Sequence, residues 1–337
     1  MQPPNWHGVQ EGINRQIVER LSLVHQFTAD EDYRVTTLSF NQEGNLLANA
    51  CKYTSKIFIW NWAVSEKHCF ESGHTISDNT ISDNTISDVK WLPLSTEYLV
   101  TCARDDGVRL LNLNSKISEI LAVHDYQPEK LAVHPEIPNT VLTAGREGKV
   151  VLIDVREKTG NELLTVFTEG TESKINLPNI HFNPLDSYEF CVSGYCQYVR
   201  VYDRRQVQQP LYTLCPDHLR AQCLRKVLHC VYNHDGKEIV ASYGQCENIY
   251  LINKRNSSSV KYVHIYQDAE EVIFFGPKSE YVISGSRRGY LFIWDKNTQD
   301  CVKQLECEGQ FIRYLKAHPS LPILAIQMDN DIGILMP

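Results

Sequence analysis

The stretch Val199-Arg200-Val201-Tyr202-Asp203-Arg204-Arg205 alternates apolar and polar side chains, then closes on an aromatic–Asp pair with two arginines behind it. A period of two is that of a β-strand, whose successive side chains point to opposite faces. The same outline stands at Val150-Val151-Leu152-Ile153-Asp154-Val155-Arg156. Both end as apolar-Asp-x-Arg, so the ending marks a unit that the chain repeats.

Seven such units lie outward from this stretch, at 35–61, 88–112, 129–154, 179–203, 227–253, 271–295 and 312–336. Each has an apolar strand, a turn that usually holds Pro or Gly, a second strand, a polar turn and a third strand. The closing residues Asn61, Asn112, Asp154, Asp203, Asn253, Asp295 and Met336 fall 41 to 51 residues apart. Repetition of short strands at that period predicts an all-β fold, a seven-bladed β-propeller with four strands per blade. The first turn repeats a proline at Leu92-Pro93, His134-Pro135, Asn183-Pro184, Gly276-Pro277 and His318-Pro319. Its fixed φ and missing N–H suit a strand end. His134 and His318 are accordingly read as turn residues, not ligands.

Fourth strands are expected between units, at 67–72, 119–124, 163–168, 210–215, 261–266 and 301–306. Unit seven lacks one, and residues 22–28 (SLVHQFT) have the length and pattern to supply it. Strands from both ends then close the ring and leave no exposed edge. The expected organisation is an N-terminal segment, 1–21, carrying an amphipathic helix over 9–21, and one propeller over 22–337. In the helix, Val9, Ile13, Ile17 and Leu21 recur every four residues among Arg15, Gln16, Glu19 and Arg20. That apolar face either covers the propeller or leaves it to meet a partner. Residues 76–88 read ISDNTISDNTISD, a reiteration of turn formers that predicts a surface loop between blades one and two.

The 337 residues carry a net charge of −8, which argues against general nucleic-acid binding, a role that needs a basic face. Eleven cysteines include no CxxC pair, so their spacing offers no zinc site. An odd count and no signal peptide at Met1-Gln2-Pro3-Pro4-Asn5 predict reduced thiols in the cytoplasm or nucleus. No apolar run reaches the ~20 residues of a membrane helix. GxSxG, GxGxxG, P-loop and HExxH motifs are absent. Asp105-Asp106, the nearest approach to a paired-carboxylate site, falls in a Gly-containing turn. No enzyme activity, metal or cofactor is expected.

The endings IFIWN, VRVYD and LFIWD, with Gly73-His74 ahead of unit two, resemble the WD-repeat family. The segments FESGH (70–74), CARDDGVR (102–109), VRVYDRR (199–205), FGPKSEYVISGS (275–286) and HPSLPILA (318–325) resemble the cullin-4-associated factor 8 group of that family. This resemblance covers nearly the whole chain from residue 9. It implies a seven-bladed WD-repeat propeller that serves as the non-catalytic substrate receptor of a cullin-4 RING ubiquitin ligase. Such a receptor docks on the damaged-DNA-binding protein 1 adaptor (DDB1).

The resemblance also implies docking boxes of the form apolar-x-apolar-[W/Y/I]-D-x-R. Val151, Ile153, Asp154 and Arg156 match one copy, and Val199, Val201, Tyr202, Asp203 and Arg205 match the next. It further implies a contribution from a helix ahead of the propeller, here through Ile13, Ile17 and Leu21. Each box arginine follows a third strand, so both project from one rim. Its planar fork can pair with a partner's carboxylates or carbonyls, or within its own blade. The opposite rim would then select substrate, with Arg104, Asp105, Arg146, Tyr195, Arg287 and Arg288 as candidates. Departures from the family pattern include Lys52-Tyr53, Cys196 and Cys246 where a turn Asp is usual, so some blades should lose internal hydrogen bonding. The other reading is a WD-repeat scaffold for chromatin or complex assembly, unconnected with ubiquitin.

Overall fold

The computed structural model describes residues 12–337 apart from 30–33, 75–84, 106, 125–126, 169, 171, 221–225, 245–247, 255–259, 266–268 and 308–310. These residues form seven four-stranded antiparallel sheets and one α-helix. Blade one comprises Val35–Phe40, Leu47–Cys51, Lys56–Asn61 and Glu66–Glu71, and the next five blades repeat that consecutive order. The first strands contact one another around the axis. Blade seven is built from both ends of the chain. Leu315–Ala317, Leu324–Met328 and Asp331–Met336 are completed by Ser22–Thr28, with Ser22 opposite Met336 and Thr28 opposite Asp331.

The period-two pattern decides where the core lies. Val199 and Val201 pack with Cys230, Ile239 and Tyr250 of blade five, whereas Tyr202 turns the other way, toward Ala144 and Val150 of blade three. In blade three, Val151 and Ile153 face blade two while Val150 faces blade four. The same division runs round the ring, from blades one and two (Ala48, Ile57, Val89, Leu99) to blades seven and one (Ile332, Phe27, Trp60). Each blade is therefore apolar on both faces, which is why the third strands read as nearly continuous apolar runs.

The closing Asp or Asn builds the turn that follows it. Asp154 Oδ1 accepts from the N–H of Arg156 at 2.9 Å, and Asp203 Oδ1 from that of Arg205 at 2.9 Å. Asn112 Oδ1 does the same for Asn114 at 2.9 Å, and Asp295 Oδ1 for Asn297 at 2.8 Å. In the third turns of blades one, two, three and six, Ser65, Lys116, Lys158 and Gln299 adopt left-handed backbone, φ 52° to 67°. The first turns use a similar device. His318 Nδ1 accepts from Ser320 N–H at 3.1 Å and Leu321 N–H at 3.0 Å, and His134 Nδ1 from Glu136 N–H at 3.2 Å. Asn183 Oδ1 holds that place in blade four, accepting from Leu185 N–H at 3.0 Å.

Three boundaries depart most from the sequence expectation. The helix is Arg15–Arg20, not 9–21. Asn14 caps it, its Oδ1 accepting from Ile17 N–H at 3.0 Å, while Gly12 (φ +115°) and Ile13 precede it without regular structure. Residues 9–11 lie outside the described residues. Blade three's outer strand is Thr159–Thr165, not 163–168, because Asp154 pairs directly with Thr159 across a tight turn. The last copy of the reiteration, Ile86-Ser87-Asp88, belongs to blade two's first strand, Ile86–Trp91. Ile86 is fully buried between blades one and two, and that burial draws the segment into the sheet. Residues 76–84 of the reiteration lie outside the described residues.

Candidate functional site

Four consecutive antiparallel strands place the first and third turns of blades one to six on one face. The second turns and the interblade connections lie on the other. Arg156 and Arg205 occupy the same point of adjacent blades, in the third turns. Each guanidinium lies back on its own closing carboxylate. Arg156 Nη2 is 3.1 Å from Asp154 Oδ2, and Arg205 Nη2 and Nε are 2.6 and 2.9 Å from Asp203 Oδ2 and Oδ1. The arginine hydrogen bonds hold both carboxyls below the ordinary Asp range. The arginine side chains nevertheless remain 68% and 61% exposed. Arg205 also stacks on the Tyr188 ring at 4.1 Å. Exposed Leu94, Leu185 and Val64 add apolar surface to this face. Arg255 has the matching offset from Asn253 in blade five and lies outside the described residues.

The rest of the docking residues read from the sequence are spent inside the molecule. Ile153 is fully buried and Tyr202 is 6% exposed, both packed between blades. They position the turns and cannot touch a docked protein. Ile13 and Leu21 are buried with Ile273, Tyr281 and Leu315 between blades six and seven, and Ile17 packs half-buried against them. Glu280 accepts the Ile13 N–H at 3.1 Å, and Tyr281 OH donates to the Ile13 carbonyl at 3.2 Å. The apolar face of the helix covers the propeller, leaving Arg15, Gln16, Glu19 and Arg20 exposed.

On the opposite face, Lys52, Arg104, Arg146 and Tyr195 hold one equivalent position in blades one to four, just past the second strand. Their backbones are pinned alike. The N–H of Lys52 donates to the Arg34 carbonyl at 2.8 Å, that of Arg104 to Thr85 at 3.2 Å, that of Arg146 to Gln127 at 3.1 Å and that of Tyr195 to Asn176 at 2.9 Å. All four side chains line one mouth of the central channel, a cavity of about 390 Å³. Arg146 Nε bonds Glu129 Oε1 at 3.1 Å, and Lys226 lies over the Tyr195 ring at 4.1 Å. Arg287 and Arg288 occupy the corresponding turn of blade six but do not reach the mouth.

Asp105 does not belong with these candidates. Its carboxylate accepts from His74 Nδ1 at 2.8 Å, and His74 Nε2 bonds Thr101 Oγ1 at 2.9 Å. The His74 side chain is fully buried and that of Asp105 is 13% exposed. This network ties the approach to blade two onto its second strand. Gly73 (φ +76°) makes it possible, since a Cβ there would lie 2.8 Å from Ser118 Oγ.

The channel below the mouth is lined with charges that sequence reasoning did not single out. Asp88, fully buried, accepts from Thr37 Oγ1 at 2.7 Å and Leu131 N–H at 3.2 Å, with Lys90 at 3.3 Å and Lys130 at 3.5 Å. Burial would raise its pKa, but Lys130 and Lys90 bring it down to about 2. Glu271 accepts from Lys316 at 2.6 Å and Leu315 N–H at 2.8 Å, with His229 Nε2 at 3.2 Å. Against the same penalty of burial, Lys316 and His229 hold it well below the carboxylate range. Burial, followed by His229, drives the neighbouring His181 down to about 3. Each of these residues interrupts an otherwise apolar first strand, and that interruption is the signal by which they could have been found.

Residues 21–61 match the family model described as WD domain, G-beta repeat. The match spans the closing strand of blade seven and three strands of blade one. With the seven-bladed fold, it identifies a WD40-type repeat within this propeller. Among curated proteins, Protein ALTERED SEED GERMINATION 2 of Arabidopsis thaliana is 26% identical over 291 residues, 72% of this chain and 37% of that protein. WD and tetratricopeptide repeats protein 1 of Homo sapiens is 40% identical over 58 residues, 17% of this chain and 9% of that protein. DDB1- and CUL4-associated factor 6 of Homo sapiens is 39% identical over 69 residues, 20% of this chain and 8% of that protein. The chain thus spans 37% or less of the length of each of these relatives.

Proposed function

We propose that this propeller is a non-catalytic substrate receptor of a cullin-4 RING ubiquitin ligase, akin to the cullin-4-associated factor 8 group. The arginine-bearing face docks on DDB1 and, through it, on cullin-4; the opposite face takes a protein substrate. The observation that carries the reading is the pair Arg156 and Arg205, exposed at the same point of adjacent blades and each aligned by its own Asp. A guanidinium fixed in this way loses little freedom on meeting a partner's carboxylate or carbonyl. Leu94, Leu185 and Val64 supply apolar contact beside it, and the helix adds its polar face. The partial likeness to a protein named DDB1- and CUL4-associated factor 6 supports the same reading. In it the chain supplies no reacting group. It raises the local concentration of substrate lysines near a ubiquitin-charged enzyme. The protein acts in the nucleus and cytoplasm, without membrane or direct nucleic-acid contact.

Capture from cells tests this. The tagged wild-type chain is expected to retain DDB1, and Arg156→Ala with Arg205→Ala to retain at least about tenfold less. Both should melt alike, since exposed ion pairs contribute little to stability. Unchanged capture by the double variant, or none by the wild type, overturns the reading in favour of a scaffold unconnected with ubiquitin.

A further inference from the structure

We infer that Tyr188 is a positioning residue of the docking face, and that Arg205 of blade four, held by its ring, contributes more to DDB1 binding than Arg156 of blade three. This inference rests on the function proposed above.

The third turns of blades two to six begin alike. A backbone N–H just past the closing residue donates to a carbonyl near the start of the second strand, at 2.8 to 3.1 Å. The acceptors are Glu97, Asn139, Tyr188, Lys237 and Glu280, so of these five blades blade four alone puts an aromatic ring there. That ring takes both arginines of the turn. The Arg205 guanidinium carbon lies 4.1 Å from its centroid and that of Arg204 4.8 Å, within the range of cation–π attraction. Arg204 is fixed in turn, its Nε donating to the Ser187 carbonyl at 2.9 Å. Arg205 is thus held from two sides, by the Tyr188 ring and by Asp203, whose Oδ2 and Oδ1 lie 2.6 and 2.9 Å from its Nη2 and Nε. Among the described residues Arg156 has Asp154 alone, at 3.1 and 3.4 Å, because Asn139 stands where blade four has its ring. Arg205 nevertheless keeps 61% of its side chain exposed, with the N–H groups of Nη1 turned to no residue described. A guanidinium restrained on two sides and still presented gives up less freedom on binding than one restrained on a single side. Leu185, 71% exposed in the first turn of the same blade, adds apolar surface. Tyr and Arg grouped in this way are the residue types that dominate binding energy at protein interfaces.

The test titrates the purified full chain against purified DDB1 by calorimetry. Tyr188→Ala is expected to weaken binding about threefold to tenfold, and Tyr188→Phe, which keeps the ring, by less than about twofold. Arg205→Ala should weaken it at least about threefold more than Arg156→Ala. In an Arg205→Ala background, Tyr188→Ala should add less than about twofold, because the ring acts through that arginine. A ring that merely supported the blade, or that touched DDB1 on its own account, would give additive losses instead. Circular dichroism checks that each variant is folded; should Tyr188→Ala fail to fold, Tyr188→Leu, apolar but without a π-face, takes its place. Binding by the ring-less variant equal to wild type, Tyr188→Phe as weak as that variant, Arg156→Ala as costly as Arg205→Ala, or additive losses in the double variant would overturn the inference. Any of these, with binding still lost in Arg156→Ala with Arg205→Ala, removes this inference alone and leaves the docking reading standing. No binding of DDB1 by the wild type removes both.

Discussion

Asp203 stands at the end of its strand for a reason that involves no partner: its carboxylate ties the turn by accepting the N–H of Arg205. The same atoms then align the arginine side chain. One residue thus serves the fold and the docking face proposed above, so the apolar-Asp-x-Arg ending bears on both. His318 has only the structural role. Its Nδ1 accepts from two backbone N–H groups, and its ring packs 5.4 Å from Phe40 and 6.0 Å from Trp62. Burial lowers its pKa from 6.5 to about 4. The unfolded chain therefore takes up a proton that the folded one refuses, and stability is lost as pH falls from 6.5 through about 4. On the order of 2 kcal/mol should disappear over that window. His318→Asn keeps an acceptor for the turn, as Asn183 does in blade four. It should be less stable at neutral pH by about 1–2 kcal/mol, having lost the ring, but flatter across the window. Urea denaturation at a series of pH values reads both effects.

At the scale of elements, the strands were legible and the helix only partly so. A strand's alternation maps directly onto its two packed faces, as Val199 and Tyr202 show by facing different blades. Spacing of four is less binding. Ile13 and Leu21 keep it and share one core, yet neither lies in the helix, because Asn14 starts it and Leu21 ends it. Whether that apolar stripe met a partner or the propeller depended on blade six, where Glu280 and Tyr281 hold the chain just ahead of the helix. Leu21 is fully buried in this cluster. Leu21→Ala is expected to cost about 2–4 kcal/mol, seen as a lower urea midpoint at unchanged slope. Asp105 illustrates the opposite confusion. Beside Arg104 in sequence it looked like a surface charge, but its carboxylate faces inward to His74.

For the whole molecule, the consequence of the fold is closure. Ser22–Thr28 covers the edge of Asp331–Met336, and Phe27 seals the core between blades seven and one. Removing residues 12–28 should expose that edge and core together. The truncated chain is expected to melt earlier and over a broader range than the full chain, and to associate on size exclusion; an unchanged sharp transition would show that closure contributes little.

The sequence by itself determined the number of blades, the strand order, the turn chemistry and the closing strand, because each follows from local periodicity and short-range hydrogen bonding. Tertiary structure alone decided which polar residues meet. Lys52, Arg104 and Arg146 converge on one mouth although 94 residues separate the first from the last. Asp88, Lys90 and Lys130, joined by Glu271 and Lys316, come together only when four blades bring their first strands to the axis. Local patterns carry no record of such neighbours, since it is the closing of the ring, not any one strand, that fixes the distances between them.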